Sequence, residues 1–353
     1  MTIDIRRVDE ELRLRPWPRL TQSIPETLGE GDHLVLCAGF EDRAEHFLNT
    51  LVEGGHRGFS ATILDYRPFY PENKTQRLVE LVSAVDGRVG VEVYDRARPA
   101  GIAQQILEKF EPGVRVFLDV SAMSRLLIVQ LVSACVQDTR VRELHVVYAE
   151  AESYPPNKED VERALGRSER PSRIGGFLSK GILDIVTAPE LSSVAMAGEA
   201  SRLVAFPSFE AHQLSSLLAE LQPSHLHVLE GVPPRPEFAW RTVAIRDINK
   251  PSCRIVGISE SVAVSTLDYR ETIAAIIEIY DRHSVFDRIV VSPTGSKMQS
   301  VAVGVVRAAL DDIQVIYPTA HEFLQPTEHT TGVRSLHHVS LPVQELRALL
   351  GEA

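Results

Sequence analysis

The sequence predicts an α/β protein built from two tandem Rossmann-like parallel-sheet domains that form an internal pseudo-dimer. Three observations carry this reading. Short apolar runs alternate with helix-patterned segments along the chain, which is the pattern of a parallel sheet covered on both faces. The same βα motif occurs twice, as a strand running into a small-residue turn and then a basic residue. The length of 353 residues exceeds one ordinary core, so two domains are expected, 1–172 and 173–353.

Taken in order, each half opens on an apolar strand that ends in Phe-Glu and leads into a helix, at 33–41 and at 202–210. A second strand follows at 61–66 and 225–230, and a third at 89–94 and 254–258. Helices with 3.6-residue spacing come next, marked by Ile102, Ile106 and Phe110, and by Ile273, Ile276, Ile277 and Tyr280. The fourth strands, 116–119 and 288–292, carry the repeated turn. One copy reads Ser121-Ala122-Met123-Ser124-Arg125, the other Pro293-Thr294-Gly295-Ser296-Lys297. Ser124 and Ser296 align at the same offset as Arg125 and Lys297. A last strand at 143–148 and 313–317 is followed in each half by a glutamate, Glu150 and Glu322.

The stretch 154–193 reads as the connection between the halves. Pro155-Pro156 and the charged run 159–163 predict a solvated helix, and 167–173, rich in Arg, Ser and Pro, a loop before Gly175-Gly176-Phe177. Residues 182–186 are expected to complete the first sheet. Residues 336–341 and the helix 344–350 are expected to do the same for the second.

The net charge of −11 argues against broad, sequence-independent binding to nucleic acid, which needs many Lys and Arg contacts to phosphate. It leaves room for a small anion in a local basic pocket. Cys37, Cys135 and Cys253 make no metal or CxxC spacing, and the first two lie in apolar runs, so buried thiols in a reducing compartment are expected. Residues 1–7 lack a signal-peptide pattern and no apolar stretch has membrane-span length, so a cytoplasmic protein without a membrane partner is expected.

Ligands of parallel α/β sheets bind outside the carboxyl ends of the strands, where the loops after the first and fourth strands gather. Ser121, Ser124 and Arg125 in one half, and Thr294, Gly295, Ser296 and Lys297 in the other, place hydroxyls and a cation at a helix start. Free N–H groups and the helix dipole favour an anion there. Asp119 would orient a neighbouring group, and Gly295 would permit close approach. Phe40, Glu41 and Arg43, and Phe209, Glu210 and His212, complete the two candidate ligand sites. Glu41, Asp42 and Arg43 suit ribose hydroxyls or a phosphodiester, although first-turn acids also offset the helix dipole. Asp65-Tyr66-Arg67 falls where ribose or base contacts occur in such folds. His225 and His227 share one strand face without a completing ligand, and His337 and His338 point to opposite faces. No metal or cofactor is therefore expected. GxGxxG, the Walker A spacing, GxSxG and HExxH are all absent, and catalytic residues stay unassigned.

The turn Thr294-Gly295-Ser296-Lys297-Met298 resembles the T-G-x-x-K turn of CARF-type domains, Rossmann-like sensors of cyclic oligonucleotides in prokaryotic antiviral defence. Phe40-Glu41-Asp42-Arg43 and 119–125 look like motifs of Rossmann-like proteins linked to defence loci. The resemblance covers these short motifs and the strand order. The first copy departs from it, with Ser121-Ala122-Met123 where the second has Thr-Gly. It implies a sensor that binds a nucleotide or oligonucleotide messenger and signals to an effector protein. The alternative is a nucleotide-processing enzyme, a phosphodiester or N-glycosidic hydrolase using Glu41 or Glu210. A structural subunit with a degenerate pocket is a third reading.

Overall fold

A computed structural model of the chain describes residues 5–23, 28–167, 179–258, 260–323 and 329–351. The chain divides into two compact units, each made from two segments. Residues 16–154 and 329–353 form the first-sheet unit, and residues 1–15 and 155–328 form the second-sheet unit. The sequence reading placed one cut at 172/173. The boundaries between the compact units cross the chain at 15/16, 154/155 and 328/329, so each unit contains one chain terminus.

The second-sheet unit begins with α1 (Ile5–Leu14), after which the chain enters the first-sheet unit. Its strands are β1 (Asp32–Cys37), β2 (Ser60–Arg67), β3 (Arg88–Asp95), β4 (Val114–Asp119) and β5 (Val141–Glu150). They alternate with α2 (Arg43–Glu53), α3 (Thr75–Ser83), α4 (Ile102–Leu107) and α5 (Arg125–Gln137). The strand order is β3-β2-β1-β4-β5, all parallel. Apolar side chains of β1 and β2 (Leu34, Leu36, Ile63) pack on Phe47, Leu48 and Leu51 of α2 and on Leu78 and Val82 of α3. The helix α5 is buried on nearly every face, which is why its sequence lacks an amphipathic stripe.

In the second-sheet unit, α6 (Lys158–Arg167) is followed by β6 (Ser179–Val186), β7 (Ser201–Ala205), α7 (Ala211–Leu221) and β8 (His225–Val232). Then come α8 (Trp240–Val256), β9 (Glu260–Ser265), α9 (Tyr269–His283), β10 (Arg288–Ser292), α10 (Lys297–Ala309), β11 (Gln314–Val315) and β12 (Tyr317–Phe323). The parallel order is β9-β8-β7-β10-β11, so the third-second-first-fourth-fifth arrangement recurs. Both units are thus α/β with a parallel sheet of Rossmann-like order.

Four local expectations are corrected. Residues 182–186 do not join the first sheet, because β6 pairs antiparallel with β12 in a separate two-stranded ribbon. The C-terminal strand β13 (Ser335–Leu341), followed by α11 (Val343–Leu350), does not complete the second sheet but lies antiparallel on β5. It satisfies the backbone of β5, which would otherwise be an unpaired edge beside a buried strand. Arg347 of α11 then donates to the carbonyls of Val136 at 2.7 Å, Cys135 at 3.2 Å and Val141 at 2.7 Å, capping the end of α5. The stretch 254–258 is not the third strand. Residues 254–256 are the last turn of α8, which stops at Gly257 with φ +84°, and β9 starts at Glu260. Glu322 belongs to the ribbon, opposite Lys180, and does not end the last parallel strand. The predicted loop 168–178, with Gly175, Gly176 and Phe177, lies outside the described residues. Among the described residues no helix is long and apolar enough to cross a membrane.

Candidate functional site

At the carboxyl edge of the first sheet the turn side chains bond to neighbouring groups of the protein. β4 ends on buried Asp119, whose carboxylate accepts the Ser121 amide at 3.0 Å and also the Ser121 hydroxyl. That hydroxyl accepts the Ala149 N–H at 2.8 Å, so Ser121 ties β4 to β5 and is fully buried. Ser124 caps α5, accepting from the Leu127 amide, and half-buried Arg125 is the first helical residue. The Ser124 amide donates to the phenol of Tyr66 at 2.6 Å, and that phenol donates to the Ala122 carbonyl at 3.0 Å. Tyr66 arrives from the end of β2 with Arg96 stacked 4.6 Å from its ring centre. Burial, with the Cys37 thiol beside it, raises the Tyr66 pKa well above the usual phenol range. A neutral phenol therefore takes up the Ser124 amide at the start of α5. Asp65 accepts from the Tyr66 amide at 2.8 Å, Asn73 at 2.9 Å and Thr75 at 2.8 Å, which pins the following loop.

In the turn after β1, the Phe40 ring packs tilted against His329, centroids 4.6 Å apart, and Asp42 accepts the Gly332 amide at 2.9 Å. Glu41 accepts Nε of buried Arg43 at 2.6 Å. Burial alone would depress the Arg43 pKa, but the Glu41 carboxylate and the phenols of Tyr148 and Tyr154 hold it above its ordinary value. Glu41 thus compensates a buried cation. At the end of β5, Glu150 meets Ser335 at 3.1 Å and His337 at 3.1 Å. The adjacent His338 turns the other way to His145 at 2.9 Å, as strand alternation requires.

The second sheet treats its turn in the same manner. Thr294 donates to the Phe206 carbonyl at 2.7 Å. Ser296 donates to the Thr266 carbonyl at 2.6 Å and accepts the Gln299 amide at 3.1 Å, while Gln299 accepts the Ser296 amide at 2.7 Å. This is a complete capping box on α10. A Cβ on Gly295 would lie 2.2 Å from Gln299 Oε1 and 3.0 Å from the Phe206 Cβ, so this glycine makes room for the protein's own side chains. Lys297 is half-buried at the first helical position. Phe209 is buried under Arg241, 4.6 Å from its ring centre, and beside Trp240. Arg241 donates to the carbonyls of Pro155 and Pro156 at 3.0 Å each.

Glu210 and His212 do come together, with Ser179 of β6 as a third member the sequence did not single out. Ser179 donates its hydroxyl at 2.7 Å and its amide at 3.2 Å to Glu210, and the His212 imidazole stands 3.4 Å from the hydroxyl. Burial lowers the His212 pKa, partly offset by the Glu210 carboxylate 3.7 Å away. On β8, buried His227 accepts from Arg202 at 2.7 Å; burial first, then Arg202, push its pKa down to about 4. Among the described residues no group of three or more His, Cys, Asp or Glu is arranged to hold a metal ion.

An open cleft of about 810 Å³ lies on the outer strands of the second sheet, beneath α8. Its mouth includes Pro207 after β7 and Glu230 and Gly231 at the carboxyl end of β8. Val228, Ile245, Cys253, Ile258 and Ala263 make apolar walls, and Arg246, Lys250 and Arg254 recur every four residues along one side of α8. Arg246 forms a two-bond ion pair with Glu230, at 2.8 and 2.5 Å, and holds that carboxylate below its usual pKa. Lys250 and Arg254 are exposed and have no ion-pair partner among the described residues. The basic spacing was visible in the sequence, but reading 254–258 as a strand broke the helical repeat that reveals it.

No known protein family and no curated protein matches the chain. Among solved structures it is similar to the cytoplasmic domain of a prokaryotic cation chloride cotransporter, at 9% identity and a TM-score of 0.24, covering 82% of this chain and 96% of that one. It is also similar to a periplasmic ribose ABC transporter protein from Conexibacter woesei DSM 14684, at 11% identity and a TM-score of 0.21, covering 82% and 73%. At these scores neither likeness carries an argument about fold or function.

Proposed function

We propose that the protein binds a nucleotide or short oligonucleotide as a sensor, in the cleft beneath α8. The observation that carries this reading is the pairing of an apolar slot with two cations on one helix, Lys250 and Arg254, that have no ion-pair partner among the described residues. A cleft of about 810 Å³ falls in the size range of small-ligand sites, roughly 300–1,000 Å³. A base would lie against Val228, Ile245 and Ala263, and phosphate oxygens would meet Lys250 and Arg254. Glu230, at the end of the second strand of the sheet, stands where ribose hydroxyls are met in related folds. The recurrence of one strand order in both units supports a tandem duplication of a nucleotide-binding fold.

Calorimetric titration with mononucleotides, dinucleotides and cyclic and linear oligonucleotides tests the reading. Lys250→Ala with Arg254→Ala should weaken binding at least about tenfold, the scale of one charge-assisted hydrogen bond. If Arg125→Ala and Lys297→Ala weaken binding instead, the ligand sits at the helix starts and the cleft assignment fails. No binding by any nucleotide would end the sensor reading.

A nucleotide-processing enzyme is the second reading, favoured by the Ser179–Glu210–His212 cluster. It requires steady turnover of the bound nucleotide that is lost in Glu210→Ala, whereas a sensor leaves the ligand intact.

A further inference from the structure

We propose that the chain forms a homodimer by antiparallel pairing of β3 with β3 of a second copy. β3 is an edge strand, paired with β2 on one side only among the described residues. It is eight residues long, contains no proline, and leaves Val91 47% and Val93 40% exposed. Such an edge presents unpaired N–H and C=O groups and an apolar stripe, the combination natural sheets otherwise blunt with charge, proline or a covering element.

The sequence of β3 complements itself most fully with Val91 on the axis: with Gly90 there, Arg88 would meet Glu92, but Val93 would face Gly87 and the valine face would break. A two-fold axis normal to the sheet keeps each face on its own side, so opposed residues must share parity. With Val91 opposite its own copy, Val89 opposes Val93 and Val93 opposes Val89, giving an unbroken valine face. On the other face Gly90 opposes Glu92 of the second copy. A Cβ at Gly90 would lie 3.5 Å from Lys109 Nζ, so Lys109 lies over the gap the glycine leaves. Lys109 already pairs with Glu92 of its own chain. Directly opposed side chains start about 4.5–5.5 Å apart, which brings the second copy's Glu92 to the same ammonium. The valine stripe and the Glu92–Lys109 pairing therefore select the same register, and the strand that completes the edge is β3 of a second copy.

Sedimentation across low to high micromolar protein should show a species near twice the 39.2 kDa chain mass. Val91→Lys places two like charges on the axis and should return the monomer mass at every concentration. Val91→Cys should form a covalent dimer under mild oxidation. In antiparallel pairs opposed Cα atoms are about 4.5–5.5 Å apart, inside the disulfide range of roughly 4.4–6.8 Å. The three native cysteines are buried and leave the readout clean. The cross-link also keeps the test decisive should Val91→Lys fold poorly by circular dichroism. A monomeric wild type overturns the proposal. So does a dimer that gives no Val91→Cys cross-link.

Discussion

The phenol oxygen of Tyr66 lies 2.6 Å from the backbone nitrogen of Ser124 and accepts its hydrogen. A side chain from the second strand thus fills the helix start reached from the fourth. Tyr66→Phe would leave that amide and the Ala122 carbonyl without their partner. An unmade buried hydrogen bond costs about 1–3 kcal/mol, so the urea midpoint should fall by a corresponding amount with the m-value unchanged. A variant as stable as the wild type would mean that water replaces the phenol and that the helix start is open.

Gly295 and Gln299 are coupled in the second unit through the same kind of closure. Gly295→Ala pushes a methyl against Gln299 Oε1 and the Phe206 Cβ, and overpacking of this kind costs about 1–3 kcal/mol. Gln299→Ala removes half of the capping box, at about 1 kcal/mol. Made together, the two substitutions should cost less than their sum, because the side chain that clashes is gone. Strict additivity in denaturant titrations of the four-member cycle would refute the coupling.

Asp9 on α1 is buried, and its Oδ1 has no hydrogen-bond partner among the described residues. Burial, then the nearby Asp281 and Asp312, push its pKa up to about 7 from 3.8. The folded state therefore holds this proton more tightly than the unfolded chain. Its contribution is intact below the unfolded pKa and is lost as pH rises from 3.8 through about 7. Asp9→Asn removes the titration, so it should stabilise the fold by about 1–3 kcal/mol at alkaline pH and by little near pH 4. Equal gains in urea midpoint at the two pH extremes would contradict this origin.

Much of the fold was legible residue by residue. Fully buried runs such as Leu34–Leu36 and Val290–Val291 read as parallel strands because both faces of each sheet are covered. The Ser124 and Ser296 caps were visible as serine before a helical pattern. The third strand of the second unit was misplaced because Ile255, Val256 and Ile258 look like a strand. Ile255 is instead 85% exposed at the end of a helix, an arrangement set by Gly257 and by the packing of α8 on α7. Of the cluster, Glu210 and His212 were legible as candidates at one turn after the first strand of the second sheet. Ser179 was not legible, since its approach depends on the β6–β12 pairing.

By itself, the sequence determined that the chain is α/β, that a strand–turn–basic-residue motif recurs, and that strands alternate with helices within each parallel sheet. These follow from short-range periodicity, which local burial enforces. Only the tertiary structure decided where the chain ends go. Strand β13 pairs with β5 nearly two hundred residues earlier, and β12 with β6, because hydrogen-bond partners across such separations leave no local pattern. Tertiary structure also decided that the hydroxyls of Ser121, Thr294 and Ser296 hold the fold together. A turn sequence specifies which donors are present. The neighbouring strands and loops decide whether those donors meet a ligand or the protein itself.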